Sequence, residues 1–152
     1  MTVRLATETP YPEEPGVDLQ PITYSEPATA ERPWLASRHG LDTPLTITLD
    51  TALFTEGTHY TPPTLGQPRN VMKAGIPLGR VTATGLYGPW DTTATDGRAT
   101  FTGVLLADVP FTQSGGGAGA ALLWHGVIAA ARIPGGLDPA AITASTAQIH
   151  FV

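Results

Sequence analysis

Leu45-Thr46-Ile47-Thr48-Leu49 alternates apolar and polar residues. That period of two is the mark of a strand with one face buried and one face in solvent. A second stretch, Thr100 to Asp108 (TFTGVLLAD), reads as another strand. Its second half is apolar enough to be covered on both faces. Between and around these two, turn chemistry recurs. Glu56-Gly57 lies between Phe54 and Tyr60, Thr84-Gly85 precedes Leu86-Tyr87, Gly88-Pro89 ends that piece, and Asp96-Gly97 marks another turn. Ile76 to Ala83 reads as a strand whose Pro77 confines it to an edge or a strand start.

Downstream, Pro110 to Ala120 (PFTQSGGGAGA) reads as a flexible glycine-rich loop and Ala121 to Ala130 as a further strand. A helix there is disfavoured by Gly126 and the adjoining glycines. Pro134-Gly135-Gly136 is a turn. Asp138 followed by Pro139-Ala140-Ala141 has an N-cap and a first-turn proline, which predicts one short helix over about Pro139 to Ser145. Gln148 to Val152 closes the chain as a strand, with His150 facing outward if Ile149 and Phe151 face inward. The expected fold is mainly β: a small clip-like or barrel-like domain over residues 34–152, with one short helix and an extended N-terminal arm over residues 1–33.

The arm differs in kind. Prolines fall at Pro10, Pro12, Pro15, Pro21, Pro27 and Pro33, and apolar residues are sparse. Proline blocks helix and removes a ladder donor, and so little apolar surface builds no core. Ordering such a segment costs roughly 1–2 kcal/mol of backbone entropy per residue. It is either a plain tail or an arm that docks on a partner. In the second case Tyr11, Ile22, Tyr24 and Trp34 are the natural anchors, since aromatics give large contact area at low entropic cost. Arg38 and His39, beside Trp34, suit contacts where the arm meets the domain.

Composition narrows the function classes. The chain has 152 residues and no cysteine, so disulfides, thiolate zinc sites and cysteine nucleophiles are excluded. At this length a single domain buries about two-thirds of its unfolded surface and needs no staple. The net charge is -5, and the arm holds most of it: six acids (Glu8, Glu13, Glu14, Asp18, Glu26, Glu31) against Arg4 and Arg32. Lys73 is the single lysine. No basic cluster exists to neutralise phosphates, so nucleic acid is not an expected partner, and neither is an anionic membrane. No signal-peptide run or long apolar span is present, which predicts a protein made and kept in a cytosol unless it leaves by a route other than secretion. Charged residues are only 14%, which suggests that oligomer contacts or a host surface cover part of the exterior.

A search for chemistry finds little. The histidines, His39, His59, His125 and His150, lack ligand spacing, so no metal is expected. His125 is read as a hydrogen-bonded core or interface histidine. Ser37, His39 and Asp42 lie too close in sequence to converge as a triad, and no GxSxG accompanies them. Gly115, Gly117 and Ala120 match GxGxxG/A without the strand-turn-helix setting that motif requires. Asp91, Asp96 and Asp108 show no paired arrangement, and DTTATDG lacks the calcium-loop pattern. No catalytic residue, metal or cofactor is expected.

A family resemblance rests on an ordered set of segments: WLASRHG (Trp34 to Gly40), LTITLD (Leu45 to Asp50), KAGIPLGRVTATGLYGPWD (Lys73 to Asp91), DGRATFTGVLLADV (Asp96 to Val109) and LLWHGVI (Leu122 to Ile128). Their order and spacing resemble the lambda-type bacteriophage head decoration family, particularly its longer actinobacteriophage members. The resemblance implies a β-rich clip-like fold and a homotrimer on the outer face of the expanded head. There it would clamp major capsid protein subunits, without chemistry, after assembly in the host cytoplasm. The resemblance also implies an N-terminal segment that tends to be disordered when free and ordered on the capsid. This arm is longer and more acidic than the lambda-type one, and Ser114 to Gly119 has no family counterpart. From the apolar pattern, Asp108, Val109, Trp124 and His125 are expected near the trimer contact. A virion-surface carbohydrate- or receptor-binding module, with Trp90 or Trp124 stacking on sugars, is the competing reading. A hydrolase using His39 or His59 is a third.

Overall fold

A computed structural model describes residues 31–113 and 116–152. The described residues contain ten short strands: β1 (Leu45–Asp50), β2 (Tyr60–Thr61), β3 (Asn70–Met72), β4 (Pro77–Arg80), β5 (Tyr87–Pro89), β6 (Gly103–Leu105), β7 (Val109–Phe111), β8 (Gly117–Leu123), β9 (His125–Ile128) and β10 (Gln148–Phe151). Strands β1-β5-β4-β6-β8 close a barrel, β2-β3-β7 form a three-stranded sheet, and β9 and β10 pair in parallel. The mainly β reading holds.

The barrel closes through one long ladder. β1 runs antiparallel to β8 from Leu45↔Leu122 to Asp50↔Gly117. On its other side β1 meets β5 at a single pair, Leu49↔Tyr87. Ile47 and Leu49 point inward and are buried, while Thr46 and Thr48 are exposed, as the alternation in LTITL predicts.

Two cores share the β6–β8 wall. Ile47, Leu49, Leu78, Leu105 and Leu122 pack inside the barrel with Phe54, Tyr60, Met72 and Phe111. Trp34, Phe101, Val104, Leu106, Leu123, Ile128 and Ile133 pack on the opposite face. Successive residues Val104, Leu105 and Leu106 thus fall in different cores, which is why this stretch reads as apolar throughout.

Four segments differ from the sequence reading. Pro139 to Ser145 is not a helix beyond one 3-10 turn, Pro139–Ala141. Asp138 does cap it, accepting from Ala140 N at 3.0 Å. The chain then extends because Phe101 and Ser145 bridge in parallel and Phe101 N donates to Ala144 O at 2.9 Å. The β-branched pair Ile142-Thr143 favours that outcome.

The glycine-rich stretch is largely strand. Pro110 lies in β7 and Gly117 to Ala120 in β8, the latter paired throughout with β1. The expected continuous strand from Ala121 to Ala130 breaks at Trp124, and its halves join different sheets. The strand expected over Thr100 to Asp108 shrinks to β6, because Phe101 bridges away and Gly103 takes φ 142. Pro77 does begin a strand, and His150 is exposed between half-buried Ile149 and Phe151.

Candidate functional surface

The expected arm-root residues and trimer residues converge in part. The loop from Ser37 to Thr43 folds over the β8–β9 junction. His39 and His125 rings stand 5.2 Å apart in an edge arrangement, and Trp124 and His125 stand 4.2 Å apart. Thr43 Oγ1 and His125 Nε2 are hydrogen-bonded at 2.7 Å, and Trp124 Nε1 donates to Thr43 O at 2.8 Å. Gly40, at φ 92, makes the close approach possible: a Cβ there would stand 2.1 Å from His125 O. His39 and Arg38 are exposed on this surface, while Trp124 and His125 are half-buried.

Trp34 sits elsewhere in function. Its side chain is 1% exposed and belongs to the second core. It is a packing residue, and its ring offers no face to a partner. The chain on either side is tied down as well: Arg32 Nε donates to Leu106 O at 2.7 Å, Ala36 N to Val127 O at 3.1 Å, and Leu35 bridges Ile128. The arm anchors Tyr11, Ile22 and Tyr24 lie outside the described residues.

Asp108 and Val109 are not part of the His39–His125 cluster. Asp108 Oδ1 accepts from Ala74 N at 2.7 Å, fixing the approach to β7. Val109 pairs with Met72 in the three-stranded sheet and is buried in the first core. The sequence pattern grouped these two with Trp124 and His125 on apolarity alone, which does not distinguish a core from an interface.

No reaction centre is assembled among the described residues. Ser37 Oγ accepts from His39 N at 3.2 Å, a local turn rather than a nucleophile paired with a base. His59 accepts through Nδ1 from Thr55 N at 2.8 Å and packs edge-on against Phe54. Burial first, and the nearby Lys73 ammonium second, hold its pKa below the ordinary histidine value. Asp96 is bonded by Arg98 Nε at 2.9 Å, and hydrogen bonds from Arg98 hold its carboxyl below the usual range. Asp91 is lowered chiefly by hydrogen bonds from Thr93. Both carboxylates stabilise turns. No three potential metal-ligating side chains cluster among the described residues.

Residues 44–150 match the family model for bacteriophage lambda head decoration protein D. The chain belongs to that family of structural phage capsid proteins. Searches of curated proteins and of solved structures found no match. Family membership makes the chain a component of the phage virion and a binder of the phage capsid.

Proposed function

We propose that this chain is a non-enzymatic decoration subunit that trimerises on the outer surface of the expanded head and braces neighbouring major capsid protein subunits against internal pressure. The family match over residues 44–150 carries this reading. In this proposal residues 34–152 are the decoration domain and residues 1–33 the capsid-binding arm, with Tyr11, Ile22 and Tyr24 as anchors and Arg38 and His39 at the root. Trp124 and His125 flank the trimer contact, and Asp108 and Val109 lie near it. Three arms on one trimer gain avidity from effective concentration, so each contact need only be weak. The net charge of -5 suits a protein that stays outside the shell and is assembled from the host cytoplasm.

The test is co-sedimentation with expanded heads that lack the protein, with unexpanded proheads as control. Saturable binding to expanded heads alone, in multiples of three per site, is expected. No binding to either overturns the reading.

One observation favours a second role at the virion surface. Trp124, Tyr87 and Arg80 line a cleft of about 490 Å³ together with threonine hydroxyls. Aromatic faces and hydroxyls suit a saccharide. Trp90 does not line this cleft; its Nε1 donates to Ala99 O at 2.9 Å and its ring packs on Phe101. Glycan-array binding lost in Trp124→Ala supports this role; an array without signal removes it.

A further inference from the structure

The turn from Thr55 to His59 is closed twice by the same two residues. His59 N donates to Thr55 O at 2.9 Å, and Thr55 N donates to Nδ1 of the His59 ring at 2.8 Å. Gly57, at φ 81, carries the chain round the bend. The far side of the turn is tied to the sheet. Gly57 N donates to Tyr60 O at 2.8 Å, and Lys73 N donates to His59 O at 3.0 Å. Phe54 and Tyr60, which flank the turn, are buried in the first core. One end of the turn is thus held by backbone bonds to β2 and the end of β3, and the Thr55 end is held by an imidazole.

That imidazole bond depends on the ring's charge. A backbone N–H can only donate, so Nδ1 presents a lone pair and the neutral ring carries its hydrogen on Nε2. An imidazolium has N–H on both nitrogens and cannot accept from Thr55 in either ring orientation. The charged groups around the ring act in opposite senses. Lys73, whose Nζ donates to Gly57 O at 3.4 Å, repels a second cation. Glu56 lies within the turn itself. Asp138 lines, together with His59, a cleft of about 410 Å³ whose walls include Ile76, Trp90 and Leu137. Both acids attract an imidazolium.

We infer that His59 is an acid-operated latch: a proton on its ring breaks the bond from Thr55, frees that end of the turn and draws the ring toward Asp138, reshaping the cleft while the domain stays folded. The event is local, because the bonds from Gly57 to Tyr60 and from Lys73 to His59 involve backbone groups that do not titrate. The lowered pKa of His59 has the matching sign: a closed turn that disfavours the proton is a turn that the proton opens.

The test is amide exchange by NMR on the full-length protein without heads, so its outcome is independent of the decoration reading. Protection of the Thr55 amide, corrected for the intrinsic pH dependence of exchange, is expected to fall at least about tenfold between about pH 7 and about pH 4.5. Amides of the β1–β8 ladder should keep theirs. His59→Asn places a non-titrating acceptor where Nδ1 stood and should hold Thr55 protection level across that range. Lys73→Met should move the fall to higher pH. Asp138→Asn, which keeps the cap on Ala140, should move it to lower pH. Thr55 protection that does not change with pH overturns the proposal. So does a fall that persists in His59→Asn, or one that the β1–β8 amides share, since the domain then opens as a whole. A midpoint unmoved by Asp138→Asn overturns the swing into the cleft.

Discussion

Replacing Trp34 with alanine separates two roles that the sequence leaves together. If the ring is a docking anchor, its loss spares the domain and weakens head binding. The structure buries it at 1% exposure among Phe101, Leu123, Ile128 and their neighbours. A tryptophan carries up to about 250 Å² of surface. At about 25 cal/mol per Å² its burial is worth up to about 6 kcal/mol, an upper bound because the unfolded chain is partly compact. Alanine retains its Cβ, and measured truncations of this kind cost about 3–5 kcal/mol. For a domain of this size each kcal/mol shifts the midpoint by about 3–5 °C, so Trp34→Ala should melt about 10–20 °C below the parent. Trp34→Phe, which refills part of the space, should fall between. Thermal unfolding followed by near-ultraviolet circular dichroism measures this, with head binding assayed well below both midpoints. A Trp34→Ala protein that melts within about 2 °C of the parent yet no longer binds heads would refute the core assignment.

Three further outcomes are expected. Deleting residues 1–30 should keep the barrel folded, because the barrel strands and the core residues described all lie from Trp34 onward, while lowering affinity for expanded heads in co-sedimentation; unchanged affinity would remove the arm from the contact. His59 has a folded pKa below its unfolded value, so the neutral form is the stable one. Its contribution is fully present above about pH 6.5 and is lost as pH falls through the depressed folded value, and urea unfolding should show a shallower acid slope in His59→Gln. Gly40→Ala drives a Cβ into His125 O at a positive φ and should cost at least about 2 kcal/mol. Gly57→Ala, where the space is open and only φ 81 is strained, should cost about 1 kcal/mol by the same unfolding assay.

Strands whose own residues alternate were legible. LTITL carries its period of two, and Val104-Leu105-Leu106 announces a wall between two cores. β8 was not legible, because a strand of glycine and alanine has no side-chain pattern of its own. Its partner β1 supplies the large residues, and that pairing lies about 70 residues away in sequence. The break at Trp124 is equally hidden. It is fixed by distant groups, with Trp124 Nε1 donating to Thr43 O and Gln148 N donating to Trp124 O at 2.7 Å. Asp138 and Pro139 are true helix-start signals, and a bridge from Phe101 to Ser145 outweighs them. Among the candidate contact residues, His39 and His125 were each named, but no sequence signal places one ring against the other across 86 positions. Trp34 was misread for a related reason: an aromatic at the foot of a polar arm looks the same whether it turns outward or inward.

The β1–β8 ladder also governs time. A barrel whose first strand is completed by its eighth has no early half that folds alone, so closure waits until Leu123 has left the ribosome. Pairings of such long range make folding slow, in the range of milliseconds to seconds for β proteins of this kind. Opening the barrel means giving up the β1–β8 ladder and the packing of both cores, which share its wall. Where those contacts form late in folding, their stability slows unfolding more than it hastens folding. A barrel built this way closes only once its whole length is available, and it then opens slowly.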